Sequence, residues 1–548
     1  MTRYADRVFA GGRVFCADAV RRFATAVAVR DGRIMAVGHD EVRDLVGPDT
    51  EVVDLAGGLL TPGFQDAHVH PVQGGLERLS CDLSELTTRE QYLDAIRAYA
   101  DKHPDREWIT GGGWESPAFP DGMPTRHELD AVVPDRPVFL PNTAHHDAWV
   151  NTVALKRAGV GSHTEDPADG RLARDADGVP SGTLHEGAMD LVGRLVPPAT
   201  PEELAAGLLE AQRHLHSLGI TAWQDAIIGE YANIVDTSAI YLEAARSGAL
   251  TARVVGALWW ERDADESLVS ELVERRAALR VGRFAATSVK IMQDGVPENG
   301  TAAMLDPYLD PSGRVTDNRG LSFVDAAALR RYVTMLDAEG FQVHLHAIGD
   351  RAVREALDAF EAARAANGVN DHRHHIAHLQ VIHPDDRPRF RELGVTANLQ
   401  PLWAAYEPQM TDLAIPVLGP ERSAWQYPFA DLLATGATLA CGSDWPVSSA
   451  NPLWGMHVAV NRRLPPAAGQ GEYPAFYPEY ALDLATVMTA YTAGAAYLNH
   501  LDDTGVIAAG NRADLAVLDR DPFTGRADEI ADARVVATYV DGDPVYLA

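Results

Sequence analysis

The sequence predicts an α/β fold, a (β/α)₈ barrel with a small β-sandwich domain built from both chain ends. The chain has 548 residues, more than one compact core usually organises. Short apolar runs alternate with helical patterns through its middle, as expected for parallel strands joined by crossover helices. Both ends instead show alternating apolar positions between glycine turns, which is typical of antiparallel strands.

The barrel is predicted to occupy residues 61–498. Its eight candidate strands are short apolar runs, at 63–70, 219–225, 252–258, 287–292, 342–347, 374–379, 395–400 and 438–444. Helical patterns at 325–340, 350–368 and 383–394 separate several of these runs. The carboxyl ends of all the strands of such a barrel meet on one face, so residues distant in sequence come together there.

Residues 1–60 and 499–548 are predicted to form the sandwich together, since neither end is long enough to form one alone. One interval inside the barrel is much longer than a crossover helix. It spans about residues 80–215, between the first and second candidate strands, and contains a polar, glycine-rich segment at 161–182. An insertion at this connection opens at the catalytic face, so it is a candidate lid or substrate-recognition element.

Composition narrows the class of protein. A formal net charge of −31 argues against nucleic-acid binding and against anionic lipid surfaces. No run approaches the roughly 18–20 apolar residues that a membrane helix needs. The first residues lack a secretory pattern, and three widely spaced cysteines do not suggest a disulfide framework. We therefore expect a soluble cytoplasmic protein without nucleic-acid or membrane partners.

Histidines and an aspartate stand at the ends of several candidate strands. His68 and His70 end the first strand, and because residues i and i+2 of a strand point to one side, both can face one metal ion. His346, His378 and Asp444 follow later strands. Each alone has an ordinary structural explanation, as a polar core residue or a helix cap. Together on one face of a barrel they predict a metal site.

Lys290 lies inside an apolar strand of a chain that has only three lysines among its 47 basic residues. A buried lysine is driven toward its neutral form, because burial penalises the charge. A neutral amine can add CO₂ to give a carbamate, a carboxylate-like group able to bridge two cations, whereas arginine stays protonated. The alternative is a lysine with a buried stem whose ammonium reaches solvent.

These motifs together resemble the binuclear amidohydrolase superfamily. The segments PGFQDAHVH, VKIMQDG, HAIGDRA, IAHLQ and GSDWPV are similar to those of its amidohydrolase-3 branch, which includes N-substituted formamide deformylases. The tail AAGNRADLAVLDRDP resembles the β-sandwich closure of the same family. The resemblance covers essentially the whole chain, and the motifs are specific in combination.

The resemblance implies a role for six residues, none of which departs from the family pattern. Those residues are His68, His70 and Asp444 on the more buried metal, Lys290 as a carbamate bridging both metals, and His346 and His378 on the second metal. Imidazole and carboxylate ligands favour zinc, although iron, manganese or nickel also accept them. The implied reaction is attack by a metal-bridging hydroxide on a non-peptide C–N bond, with Asp444 carrying the proton to the leaving nitrogen.

Five further residues are candidates for substrate contact, and a structural role stays open for each: His145, His146, Asp294, Trp114 and Trp445. The two histidines lie in the insertion, Asp294 follows the lysine strand, and the tryptophans offer apolar walls. His344 is expected to point away from His346 and to be structural. We expect a small-molecule amide as substrate, and a homodimer is allowed.

Two alternatives stay open. The same metal pair can hydrolyse an ester, a lactone or a phosphotriester, since pocket contacts and not metal ligands decide the substrate. A non-catalytic binding protein on the same barrel is the alternative from another class, but it would be expected to lack ligands. A mononuclear deaminase has no use for the strand lysine.

Overall fold

A computed structural model of the chain contains an eight-stranded parallel barrel, which confirms the predicted fold class. The structure describes residues 4–84, 86–119, 122–143, 145, 147–167, 170–231, 235–310, 312–467 and 473–548. The barrel strands, called first to eighth in chain order, are Phe64–Val69, Ile220–Ile228, Arg253–Trp259, Phe284–Met292, Gln342–Ala347, His375–His378, Thr396–Leu399 and Leu439–Cys441. Each overlaps one of the eight apolar runs predicted from the sequence.

Neighbouring barrel strands pair in parallel from the first to the eighth. The ring closes just beyond the eighth strand, through backbone hydrogen bonds. The amide of Asp444 donates to the carbonyl of His68 at 2.8 Å, and the amide of His70 donates to the carbonyl of Trp445 at 2.9 Å. This closure sets the end of the eighth strand directly beside the two histidines of the first. A short strand, Arg280–Val281, pairs antiparallel with the fourth barrel strand.

The barrel strands are almost entirely buried, because helices cover their outer faces and side chains fill the interior. The α-helices of this part of the chain are Pro71–Leu79, Pro201–Ser217, Ser238–Ser247, Leu268–Ala278, Ala326–Ala338, Asp350–Asn367, Arg387–Leu393, Ile415–Ser423, Phe429–Ala434, Pro452–Asn461, Leu484–Thr489 and Ala495–Leu498. Several begin with a side-chain cap. Asp325, for example, accepts the amides of Ala327 and Ala328 at 3.0 Å.

Strands from both chain ends form two further sheets. One has the order Arg33–Gly38, Ala26–Arg30, Arg7–Ala10, Glu51–Asp54, and the other has the order Asp543–Leu547, Val535–Val540, Leu515–Leu518, Leu59–Pro62, Arg13–Phe15, Phe23–Ala24. The sheets share an apolar core in which the rings of Phe9 and Tyr539 lie 5.0 Å apart. The second sheet thus joins the two ends of the chain. The exact domain boundaries stay predictions.

The residues that lie between the first and second barrel strands in sequence form a separate sheet. Its order is Gly170–Arg174, Pro180–Glu186, Asp147–Val150, Val138–Pro141, Ile109–Gly112, Cys81–Asp82, and the accompanying helices are Arg89–Lys102, Arg126–Asp130, Thr152–Ala158 and Asp190–Gly193. It has its own apolar core around Trp114 and Trp149. Its role as a lid or recognition element stays a prediction. Within the described residues, no helix is both long and apolar enough to cross a membrane.

Candidate metal centre

The end of the first barrel strand places two imidazoles around one carboxylate. The Oδ1 atom of Asp444 lies 3.1 Å from Nε2 of His68 and 3.2 Å from Nε2 of His70. One ligand atom from each of these residues lies within 4.8 Å of the others, and His68 and Asp444 are buried. The i, i+2 spacing of the histidines and the barrel closure at Asp444 together produce this arrangement.

Asp66 fixes the backbone on both sides of the closure. Its Oδ1 atom accepts the amides of His68 at 3.1 Å and Ser443 at 2.9 Å, and its Oδ2 atom accepts the Ser443 hydroxyl at 2.5 Å. Burial raises the pKa of Asp66 to about 7, against the lowering effect of these hydrogen bonds. Asp66 therefore orients the strand ends that carry His68 and Asp444.

His346 and His378 lie next to this group, at the ends of the fifth and sixth strands. Their ring centroids are 4.4 Å apart, and the ring of His378 is 4.7 Å from that of His68. The Nδ1 atom of His378 is 4.0 Å from Oδ2 of Asp444. The Nδ1 atom of His346 is buried and makes no hydrogen bond to the described residues, although Oδ1 of Asp294 lies 3.3 Å away. Imidazole nitrogens thus converge here with spare coordinating capacity.

Lys290 lies on the fourth strand, directly beside His344 of the fifth in the strand register. It is only 3% exposed, and its side chain makes no hydrogen bond or salt bridge within the described part of the chain. Burial lowers the pKa of Lys290 to about 7, and the charge of Asp444 opposes this shift only in part. A substantial fraction of the amine is therefore neutral near pH 7, the form that adds CO₂.

The charges of this cluster suit a cation. Burial, followed by the charge of Lys290, lowers the pKa of His68 to about 3, so its imidazole is neutral at pH 7. Burial alone would raise the pKa of Asp444, but the attraction of His68 and hydrogen bonds with both histidines hold it well below its usual range. The imidazole nitrogens around this carboxylate form a donor set that fits a divalent metal ion.

Two of the residues proposed for substrate contact are fully buried, and their polar atoms bond to the main chain. Trp114 is fully buried, donates its indole N–H to the Leu140 carbonyl at 2.7 Å, and belongs to the core of the inserted sheet. Asp294 is also fully buried, and its carboxylate accepts backbone amides at 2.8–3.0 Å, from Ala303, Ile348 and Gly349. This placement favours a role for Asp294 in shaping the loops beside His346, and a packing role for Trp114.

His145 and Trp445 line one small cavity between the inserted sheet and the helix after the first strand. The Nε2 atom of His145 lies 3.4 Å from Oε1 of Glu77, and Trp445 follows Asp444 directly in the chain. This position beside the strand ends agrees with the prediction that both contact substrate, which stays a prediction. His146 lies outside the described residues.

The predicted orientation of His344 was wrong, whereas its structural role stays a prediction. Its Nε2 atom lies 2.8 Å from Nδ1 of His68, so it points into the barrel beneath the cluster and not away from His346. Residues two apart on a strand share a face, so the VHLHA segment, like AHVH, puts both of its histidines on the inner side. That spacing was the signal that could have identified His344.

The sequence model of a protein family described as "Amidohydrolase family" matches residues 51–546. The chain belongs to the amidohydrolase family. This confirms the family predicted from the motifs and places the chain among hydrolases.

Several relatives match over nearly all of this amidohydrolase, among them the following two. It is 31% identical to protein LONG AFTER FAR-RED 3 of Arabidopsis thaliana, over 99% of this chain and 92% of that protein. It is 27% identical to N-substituted formamide deformylase of Arthrobacter pascens, over 99% of this chain and 98% of that protein. Among solved structures, an uncharacterized metal-dependent hydrolase from Pyrococcus horikoshii OT3 has the same fold, with a TM-score of 0.73 and 24% identity over 95% of this chain and 99% of that one.

Proposed function

We propose that this amidohydrolase is a metal-dependent hydrolase that cleaves a non-peptide C–N bond of the amide or formamide type in a small molecule. The observation that carries the proposal is the contact of one buried carboxylate, Asp444, with the imidazoles of His68 and His70 at the carboxyl ends of the barrel strands. Similarity to a formamide deformylase along the whole chain supports the choice of bond.

The proposed ligands form two groups. His68, His70 and Asp444 would hold one divalent cation, and His346 and His378 would hold a second. Lys290, as its carbamate, would link the two. Zinc is the metal we favour, because it accepts both imidazole and carboxylate ligands. When bound, such cations make water acidic enough to supply a nucleophile near pH 7 and polarise the carbonyl of the substrate.

Asp444 is the proposed general base and acid. Its carboxylate stays ionised near neutral pH, because the adjacent histidines hold its pKa low. It would accept a proton from the attacking water and deliver it to the leaving nitrogen, which departs as a neutral amine. Asp66 would keep Asp444 in place through the amide and hydroxyl of Ser443.

The test joins metal analysis with turnover. The protein is loaded with zinc in the presence of bicarbonate, and its metal content is measured together with the hydrolysis of N-formyl amines, other amides, esters and lactones. We expect two zinc ions per chain and the fastest turnover on the amide or formamide group. Preferential cleavage of esters or lactones would contradict the proposed bond, and no turnover in a metal-loaded protein would contradict the proposed activity.

A further inference from the structure

A buried polar network lies beneath the candidate metal centre. It begins with the contact between His68 and His344, whose Nδ1 and Nε2 atoms are 2.8 Å apart. The ring of His344 in turn lies 4.1 Å from that of His375, and all three side chains are at most 1% exposed. Two neutral imidazoles that share a hydrogen bond need one donor and one acceptor, so the position of each proton matters.

The nitrogen of His375 that carries the proton can be assigned through two glutamine side chains, because one of them bonds to backbone carbonyls. The side-chain amide of Gln342 donates to the carbonyls of Arg373 at 2.9 Å and Leu498 at 2.6 Å, so its oxygen must accept from Gln224, at 2.9 Å. The amide oxygen of Gln224 is then left facing Nε2 of His375 at 3.0 Å. An amide oxygen carries no hydrogen and can only accept, so Nε2 of His375 carries the hydrogen.

The other ring nitrogen of His375 is fixed independently. Asn398 donates its side-chain N–H to the carbonyl of Ala67 at 2.9 Å, so the same amide group faces Nδ1 of His375, at 3.3 Å, as a donor. The Asn398 oxygen accepts from Gln400 at 3.1 Å, and the Gln400 oxygen accepts the amide of His378 at 2.6 Å. His375 is therefore a neutral imidazole with an occupied acceptor, and it has no proton to offer His344.

In the contact between His68 and His344, by contrast, these hydrogen bonds do not decide which ring donates the shared hydrogen. Nδ1 of His344 is buried and has no hydrogen-bond partner among the described residues, so the contact of Nε2 with His68 is the one hydrogen bond of the ring to that part of the chain. A metal ion needs the lone pair of His68 Nε2, the nitrogen that faces Asp444 at 3.1 Å. The hydrogen of a neutral His68 must then sit on Nδ1 and point at Nε2 of His344.

We propose that His344 is a positioning residue that accepts the Nδ1 hydrogen of His68 and so holds its Nε2 lone pair toward the metal ion. The inference rests on the proposed metal site and adds a residue to it. Metal-binding histidines usually donate their other ring N–H to a carboxylate or a backbone carbonyl, and here the acceptor is the imidazole of His344. The backbone-anchored His375 below keeps His344 from turning away.

The test compares two substitutions in the full-length protein by the affinity for zinc, measured in competition with a chromophoric chelator. His344→Leu fills the space without an acceptor, and we expect it to weaken zinc binding by about 10–100-fold. His344→Gln keeps an acceptor at a similar distance from the main chain and is expected to remain within about threefold of wild type. Thermal unfolding of each metal-free variant confirms that it folds.

A matched control is His216→Leu. His216 is a buried histidine at the opposite end of the barrel, where it contacts the Ile220 carbonyl and the Thr251 hydroxyl, each at 2.8 Å. It is expected to leave zinc affinity unchanged. Wild-type affinity in His344→Leu overturns the inference, and equal losses in the Leu and Gln variants overturn the acceptor role. A wild-type protein that does not bind zinc refutes the metal site itself, which distinguishes that failure from the others.

Discussion

Replacing Lys290 by methionine is expected to stabilise the metal-free protein and to remove its metal binding, so the two effects of this lysine can be measured separately. The side chain is 3% exposed, and burial lowers its pKa from 10.5 to about 7. The unfolded chain therefore binds the proton more tightly than the folded chain, and the folded metal-free protein is destabilised as pH falls from 10.5 toward 7. Below pH 7 the penalty is complete, and above 10.5 it is absent.

The size of the effect follows from that shift. At about 1.4 kcal/mol per pKa unit, burial of Lys290 costs the metal-free protein about 4 kcal/mol at pH 7. Methionine has a similar length and no charge, so Lys290→Met should gain most of this. A chain of 548 residues unfolds with an entropy of about 1.2 kcal/mol/K, so the melting temperature should rise by about 3–4 °C. The same variant should lose bound metal and hydrolytic activity.

The assay is differential scanning calorimetry of chelator-treated wild type and variant at pH 7 and pH 10, with metal analysis of untreated samples. The control is Lys156→Met, since Lys156 is exposed on the helix Thr152–Ala158. It should change neither the melting temperature nor the metal content. A less stable Lys290→Met protein, or one that keeps its full metal content, would refute the reasoning.

Three further predictions address other parts of the molecule. Asp444→Asn should lower kcat by at least about 10²-fold, because an amide cannot accept the proton, and steady-state kinetics at matched zinc occupancy would test it. Arg253→Met should lower the free energy of unfolding by about 3–5 kcal/mol, because the buried carboxylate of Asp514 loses the guanidinium that lies 2.7 Å away. The double variant Arg253→Met/Asp514→Asn should recover stability, which chemical denaturation would measure. Asp337→Asn should destabilise the protein at pH 7 by about 1 kcal/mol, because Asp337 accepts hydrogen bonds from Asn367, Asn370 and His374. Burial alone would raise the pKa of Asp337, but these hydrogen bonds lower it to about 2. The stabilisation by the ionised carboxylate is therefore present above the unfolded pKa of 3.8 and is lost as the pH falls toward 2. Equal loss of stability in acid by the wild type and the variant would contradict this.

The barrel could be predicted because its strands are buried on both faces. Such strands appear as short continuous apolar runs, and the intervening helices show a 3.6-residue period. The strand Gln342–Ala347 and the helix Asp350–Asn367 match their predicted ranges almost to the residue. The inserted sheet was harder to define, because its short strands and loops carry weaker patterns than those of the barrel.

Parts of the site could be anticipated and others could not. Strand periodicity and barrel topology placed His68, His70 and Asp444 at one edge, where the structure brings them into contact. Both tryptophans are buried, so the sequence could not show that Trp114 packs in the core of the inserted sheet whereas Trp445 also lines a cavity. Nor could it show that the carboxylate of Asp294 accepts three backbone amides, since two of these, from Ile348 and Gly349, lie 54 and 55 residues further along the chain.

Anomalous diffraction at the zinc edge, from crystals grown with zinc and bicarbonate, tests the proposed site most directly. We expect two peaks within bonding distance of the cluster, one contacting His68, His70 and Asp444 and the other contacting His346 and His378, with added density on Nζ of Lys290. A single peak beside an unmodified lysine would contradict the paired site, and peaks away from these side chains would contradict the assignment altogether.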